Sequence, residues 1–208
     1  IKPLKIMRSP KCKCATLFFG QCHTEYQCPT CRRILVRRQM GLLRFFKRHK
    51  ATNIAYQDEA LAEVAQMFFA NIEPLTFGWH LLDAPGLDFS LDSLKQVDGY
   101  LLQIRKDPKV KEDWNRTVMR CGAYVGEVVR RAAPDGCFRW VNFESAVSIN
   151  SQVKGYGYVV GTSAVLYRQP VSLVFPLAKV EKCLEFGEQD NTHFFAGAIV
   201  AQANQGML

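Results

Sequence analysis

The sequence predicts a small metal-organised head joined to an α+β domain. Three observations carry this. Five of the eight cysteines fall between residues 12 and 31. Thirteen of the 27 Lys and Arg crowd into residues 1–50, beside a single acid, Glu25. From residue 51 onward, apolar side chains at helical spacing give way to short β-branched and aromatic runs and then return to helical spacing. The expected division is a zinc ribbon over 1–36, a basic amphipathic linker over 37–50, and an α+β domain over 51–208 in which helices pack on an antiparallel sheet.

The cysteine run defines the head. Cys12 and Cys14 are separated by one residue, and Cys28 and Cys31 by Pro29 and Thr30. Zinc takes four soft ligands in a tetrahedron, and two tight turns brought together by a hairpin supply that geometry. Leu17, Phe18, Phe19 and Tyr26 lie between the pairs and suit two short strands. A module this small builds little core, so metal binding would provide much of its folding free energy. The expected cofactor is a structural Zn2+ held by Cys12, Cys14, Cys28 and Cys31, a closed site without catalytic function. In the alternative, Cys22 or His23 replaces Cys12 or Cys14. A disulfide framework fits poorly with five local cysteines and no secretory leader, because residues 1–13 are basic but lack an apolar h-region. The chain opens on Ile1, so the native start is expected upstream.

Cys28-Pro29-Thr30-Cys31 resembles the Cys-Pro-x-Cys knuckle of rubredoxin-like ribbons. Cys12-Lys13-Cys14-Ala15-Thr16-Leu17-Phe18 is similar to the start of small bacterial ribbons. Ala15 and Arg32 stand where a turn-easing Gly usually follows each pair.

Charge separates the two parts. The first fifty residues carry a net +12, and residues 51–208 carry 14 bases and 18 acids, a net −4. In the linker, Leu35, Leu42 and Phe46 fall on one side of a helix and Arg37, Arg44 and Arg48 on the other. Arg32, Arg33, Arg37, Arg38, Arg44, Lys47 and Arg48 are the expected contacts for nucleic acid or another anionic partner. A helix docked on the main domain with its arginines in water is the plainer reading of the same residues. Met40-Gly41-Leu42-Leu43-Arg44 looks like the start of many bacterial proteins, so the ribbon reads as an addition in front of an older unit.

Three helices open the main domain. The first, over 53–72, places Ile54, Leu61, Val64, Phe68 and Ile72 at helical spacing and ends before Pro74 and Gly78. The second, over 91–106 behind a Ser90 cap, buries Leu94, Val97, Leu101 and Ile104. The third, over 109–133, centres on Trp114, Val118, Cys121, Val125, Val128 and Ala132. Gly122 and Gly126 cost that helix about 1 kcal/mol each relative to Ala, which implies close approach of another backbone. Arg116, Arg120, Glu127 and Arg131 are assigned to its solvated side, with Glu127 and Arg131 as an ordinary surface pair. Cys121 and Cys183 read as buried, inert thiols.

Strands follow over 138–143, 156–160, 164–167 and 171–175, with Gly161-Thr162-Ser163 joining the middle two as a hairpin. Pro176 fits the first turn of a helix that ends at Gly187. Asn191 or Thr192 caps a last helix containing Phe194, Phe195, Ala198 and Ile199.

Gly122-Ala123-Tyr124-Val125-Gly126-Glu127, then Trp140-Val141, then the segment from Pro176 to Gly187-Glu188 are together similar to bacterial domains of unknown function. There a Gly-Ala-Tyr-x-Gly-Glu helix precedes a Trp-Val strand and a helix ending in Gly-Glu. The resemblance spans about residues 88–200 and implies an α+β fold without an activity.

Catalytic patterns are missing from the sequence. His23, His49, His80 and His193 are scattered, and there is no nucleophile elbow, phosphate loop or dinucleotide fingerprint. A pocket built from Tyr124, Glu127 or His193 is the one enzymatic possibility to test against geometry. No apolar run reaches the ~18 residues a membrane span needs. The expectation is a cytoplasmic, non-enzymatic protein-binding protein. An immunity-type accessory protein and a nucleic-acid binder are the alternatives.

Overall fold

Helix α3, Trp114–Ala132, is the axis of the domain, and most other elements are arranged around it. A computed structural model describes residues 54–134 and 136–206, all within the second of the chain's two units. Twelve of the 19 residues of α3 are buried, because α1 (Asp58–Gln66), α6 (Pro176–Phe186), α7 (Thr192–Asn204) and the short α5 (Val160–Ser163) all pack on it. Helix α2, Leu94–Ile104, lies against α6 and α7. The expected stripe Leu94, Val97, Leu101 and Ile104 is buried, and the Ser90 hydroxyl accepts from the Ser93 N–H at 3.1 Å just ahead of the helix.

Strands β1 (Arg139–Asn142), β2 (Ala164–Arg168) and β3 (Ser172–Val174) form one antiparallel sheet in sequence order. Arg139 pairs with Tyr167, and Leu166 with Val174. Strand alternation divides the side chains between two apolar clusters. Trp140, Ala164, Leu166 and Val174 join the main core with the helices. Val141, Val165 and Tyr167 join a smaller cluster with Ala146 and Val153, against which Ile54, Phe143 and Phe175 also pack. That second face is covered by α4 (Phe143–Ile149) and a 3-10 turn, Ser151–Tyr156.

The α+β class is as the sequence reads; several element boundaries are not. Helix α1 occupies only the middle of 53–72. The Tyr56 backbone bridges to Val141, and the Gln57 N–H donates to the Trp140 carbonyl at 3.0 Å, so the chain enters as extended backbone beside the sheet. Beyond α1, the Thr76 hydroxyl donates to the Phe68 carbonyl at 2.9 Å and closes the end of the helical segment. Ile72, expected on the buried stripe, is half exposed. Residues 108–113 form a 3-10 turn before α3.

The strand expected over 156–160 does not form, and neither does its hairpin. Gly157 takes a positive φ of 73° and turns the chain. The Thr162 hydroxyl then donates to the Gly157 carbonyl at 2.8 Å and accepts from the Val159 N–H at 3.1 Å, which winds α5. Helix α4 begins where the first strand was expected to end, because the Asn142 side chain accepts from the Ser145 N–H at 2.9 Å. Asn191 caps α7 as expected, accepting from the Phe194 N–H at 2.8 Å.

Candidate functional site

The metal ligands proposed from sequence, Cys12, Cys14, Cys28 and Cys31, lie outside the described residues. So do the alternatives Cys22 and His23, and the basic contacts Arg32, Arg33, Arg37, Arg38, Arg44, Lys47 and Arg48. Among the described residues, no group of three or more His, Cys, Asp or Glu stands close enough to hold a metal.

The Gly-Ala-Tyr-x-Gly-Glu segment of α3 is described in full, and each of its distinctive residues receives a different part of the fold. A Cβ at Gly122 would lie 2.7 Å from the Leu177 Cα of α6. A Cβ at Gly126 would lie 2.2 Å from the indole of Trp140. The expected close approach of another backbone therefore holds at Gly122, whereas at Gly126 the close neighbour is the Trp140 side chain. The Tyr124 ring stacks on Phe89 with centroids 4.7 Å apart and meets Phe68 and Phe69. Its hydroxyl accepts from the Phe89 N–H at 3.1 Å and lies 2.7 Å from the Ser93 hydroxyl. Phe89 has a φ of 62°, a left-handed conformation that a bulky residue adopts only when its surroundings enforce it. Here the tyrosine hydroxyl and the stacked ring enforce it. Burial raises the pKa of Tyr124, so it stays a neutral phenol.

Glu127 corrects the sequence reading. It was assigned to the solvated side of the helix, yet it is fully buried. Its Oε1 accepts from the Trp140 Nε1 at 2.9 Å and from the Arg130 Nε at 2.7 Å, and its Oε2 accepts from the Arg130 Nη2 at 2.9 Å. Arg131 adds a longer bond at 3.4 Å and lays its guanidinium 3.7 Å above the Phe89 ring. Arg120 is corrected in the same way. It is 7% exposed and donates to the Pro74 carbonyl at 2.8 Å. A buried charge persists when paired or well hydrogen-bonded: Glu127 is paired with Arg130 and Arg131, and Arg120 is held by neutral acceptors, the Pro74 carbonyl and the Thr76 hydroxyl. Glu127 has both oxygens engaged and lines no cavity beside the sheet, so its chemistry is spent on the fold. His193 offers its backbone N–H to Asp98 at 3.1 Å at the start of α7. Tyr124, Glu127 and His193 each bond to other partners, and no hydrogen bond joins any two of them.

Two surface features remain. One is an exposed aromatic stretch on the turn between α4 and β2. Tyr156 is 67% exposed, Tyr158 69% and Val159 50%. Tyr158 meets Phe143 edge-on at 5.6 Å, and Tyr156 meets Phe175 at 6.1 Å. These two partners belong to the small cluster behind the sheet, so the exposed rings form the rim of that layer. The other feature is a cavity of about 480 Å³ at the end of the sheet where β1 begins and β2 finishes, with Tyr56, Cys137, Arg139, Tyr167, Arg168 and Gln169 in its wall. The cavity is not visible as a motif, because it assembles residues distant in sequence, and the rim tyrosines read from sequence as a strand.

Comparison with protein-family profiles, curated proteins and solved structures finds no match to this chain. Among the described residues, no helix is long and apolar enough to cross a membrane.

Proposed function

We propose that this chain is a non-enzymatic binding protein. Its α+β domain takes a protein partner on the Tyr156–Tyr158 rim, and its N-terminal cysteines Cys12, Cys14, Cys28 and Cys31 hold a structural Zn2+. The observation that carries the reading is the exposure of Tyr156, Tyr158 and Val159 within four residues. Clustered exposed apolar side chains mark interaction surfaces, and tyrosine supplies large contact area with few torsions to freeze. The rim is also held in place beforehand. The Thr162 hydroxyl ties the turn at Gly157 and Val159, and the rings lean on Phe143 and Phe175. A surface ordered before binding loses less entropy on association. Tyr124 and Glu127, the residues an enzymatic alternative would have used, are occupied inside the core.

The test is co-purification of a stoichiometric partner with the full chain, repeated with Tyr156→Ser/Tyr158→Ser. We expect the partner's affinity to fall at least tenfold while the circular dichroism spectrum is unchanged. A complex of equal affinity with the double variant overturns the rim as the docking surface.

One observation favours a second reading. Thirteen bases stand against one acid in residues 1–50, which suits a nucleic acid backbone. That version expects affinity to fall steeply with added salt, and retention indifferent to salt removes it.

A further inference from the structure

We infer that strand β3 pairs with β3 of a second copy of this chain, so that the sheet continues across a two-fold axis beside Leu173. Self-pairing of this kind is distinct from the docking of another protein on the tyrosine rim, and it is read on the purified chain alone.

The sheet has two edges, and the chain covers one of them itself. The extended backbone of Tyr56 and Gln57 lies along the outer side of β1. There the Trp140 carbonyl accepts from the Gln57 N–H at 3.0 Å, and the Trp140 N–H donates to Asp58 at 2.7 Å. Both backbone groups of Trp140 thus face away from β2. Antiparallel ladders alternate, so Leu166, opposite Trp140, turns its groups toward β3, and Tyr167 turns its own toward β1. Leu173, opposite Tyr167, therefore directs its N–H and its carbonyl outward at the other edge. Neither group is hydrogen-bonded among the described residues. Ser172 and Leu173 are half-buried and Val171 is 61% exposed, so solvent reaches this edge.

The chemistry of the edge suits a second copy. An outward N–H and carbonyl on one residue are self-complementary. Across a two-fold axis each Leu173 donates to the carbonyl of the other, which is the hydrogen-bonded pair of an antiparallel ladder. The same register sets the exposed Val171 opposite Phe175 of the second copy. Tyr156 extends that contact, since its ring lies 6.1 Å from Phe175 and is itself exposed. A symmetric contact of this kind is blocked when the edge carries charge, the usual guard of an edge strand. Residues 169–178 contain no Asp, Glu, Lys or Arg, so two copies approach without local repulsion. Pro170 and Pro176 lack an N–H and bound the ladder to residues 171–175. With β1 already covered, each copy offers one such edge, and the assembly closes at two. So short a ladder buries little area, and the dimer it makes is weak and concentration-dependent.

The experiment is analytical ultracentrifugation of the full chain over a concentration series, at low and at high salt. A monomer–dimer equilibrium is expected, and salt is expected to leave it in place because the seam holds no charge. Val171→Lys puts a cation on each side of the seam at an exposed position. It is expected to raise the dissociation constant at least tenfold with an unchanged circular dichroism spectrum. Leu173→Pro removes the central N–H and is expected to leave a monomer, and Val171→Lys is the readout should that variant fail to fold. Phe194, 75% exposed on α7, provides the control: Phe194→Ser is expected to leave the equilibrium as it is. A chain that stays monomeric up to its solubility limit overturns the inference. So does a dimer that salt dissociates, that Val171→Lys leaves at full affinity, that a folded Leu173→Pro chain still forms as readily, or that Phe194→Ser abolishes.

Discussion

The indole N–H of Trp140 donates to the carboxylate of Glu127 at 2.9 Å, and both side chains are fully buried. The strand that carries the tryptophan is thereby pinned to the central helix by a charged acceptor, and Arg130 neutralises that acceptor from the following turn of the same helix. Removing the acceptor leaves a buried indole donor and a guanidinium without their partner. Glu127→Ala is expected to lower stability by about 3–5 kcal/mol, the range for breaking a buried charged pair. The midpoint of urea unfolding measures it. Glu127→Gln, which keeps an oxygen for the indole but loses the charge facing Arg130, should fall between the two.

The glycines of the domain predict opposite outcomes for the same substitution. At Gly122 and Gly126 an added methyl meets the Leu177 Cα and the Trp140 ring, neither free to move aside. Ala at either position is expected to cost about 1–3 kcal/mol through overpacking. Gly99 is exposed in the interior of α2, and a Cβ there meets nothing within 4 Å. Gly99→Ala is expected to stabilise the chain by about 0.5–1 kcal/mol through helix propensity. Thermal melts of the three variants check the signs.

Asp98 on α2 caps α7 from across the fold. Its carboxylate accepts from the Thr192 N–H at 2.6 Å, from the Thr192 hydroxyl at 2.8 Å and from the His193 N–H at 3.1 Å. Asp98→Ala removes a cap and a charged acceptor together, and a loss of about 2 kcal/mol is expected. Hydrogen exchange should show the first turn of α7 opening before the rest of the helix.

Alkali should weaken the domain through its buried acids. Burial pushes the Cys183 thiol up from 9.0 to about 11, and the Cys121 thiol and Tyr100 phenol also move upward, again chiefly through burial. In each case the folded chain holds its proton at a pH where the unfolded chain has released it. Stability contributed this way is present below the unfolded value of 9.0 and declines as pH rises toward about 11 for Cys183. Urea midpoints across that window should fall, and the decline should be shallower in Cys183→Ala.

Metal analysis tests the head independently of the domain. One Zn2+ per chain is expected. Cys28→Ser/Cys31→Ser should lose it while the near-ultraviolet signal of the buried Trp140 persists. A metal-free wild-type chain, or an unaltered zinc content in the double variant, would count against the four-thiolate site.

What the sequence conveyed follows a physical division. The stripes of α2 and α3 and the capping of α7 depend on neighbours within a turn or two, so periodicity reveals them. Gly122 and Gly126 were legible as contact points because their local cost demanded a distant reason. The burial of Glu127 and Arg120 was not, because the groups that satisfy them, Trp140 and the Pro74 carbonyl, lie elsewhere in the chain. Helix α4 was hidden because Asn142 can end a strand or cap a helix with equal ease. Tyr156 and Tyr158 looked like a strand because alternation cannot distinguish a pleated segment from a turn that splays two rings outward. The cavity at the end of the sheet had no sequence signal, since its wall joins segments that meet only once strands pair.

The tie between Asp98 and Thr192 joins positions 94 residues apart. At a synthesis rate of roughly 5–20 residues per second, several seconds separate the appearance of the two on the ribosome. During that interval the nascent domain lacks the helix that carries Ala196, Val200 and Ala203 into its interior. Completion of the fold therefore waits until α7 has emerged, and a chain truncated before that helix would have an open core, a natural substrate for chaperones and proteases.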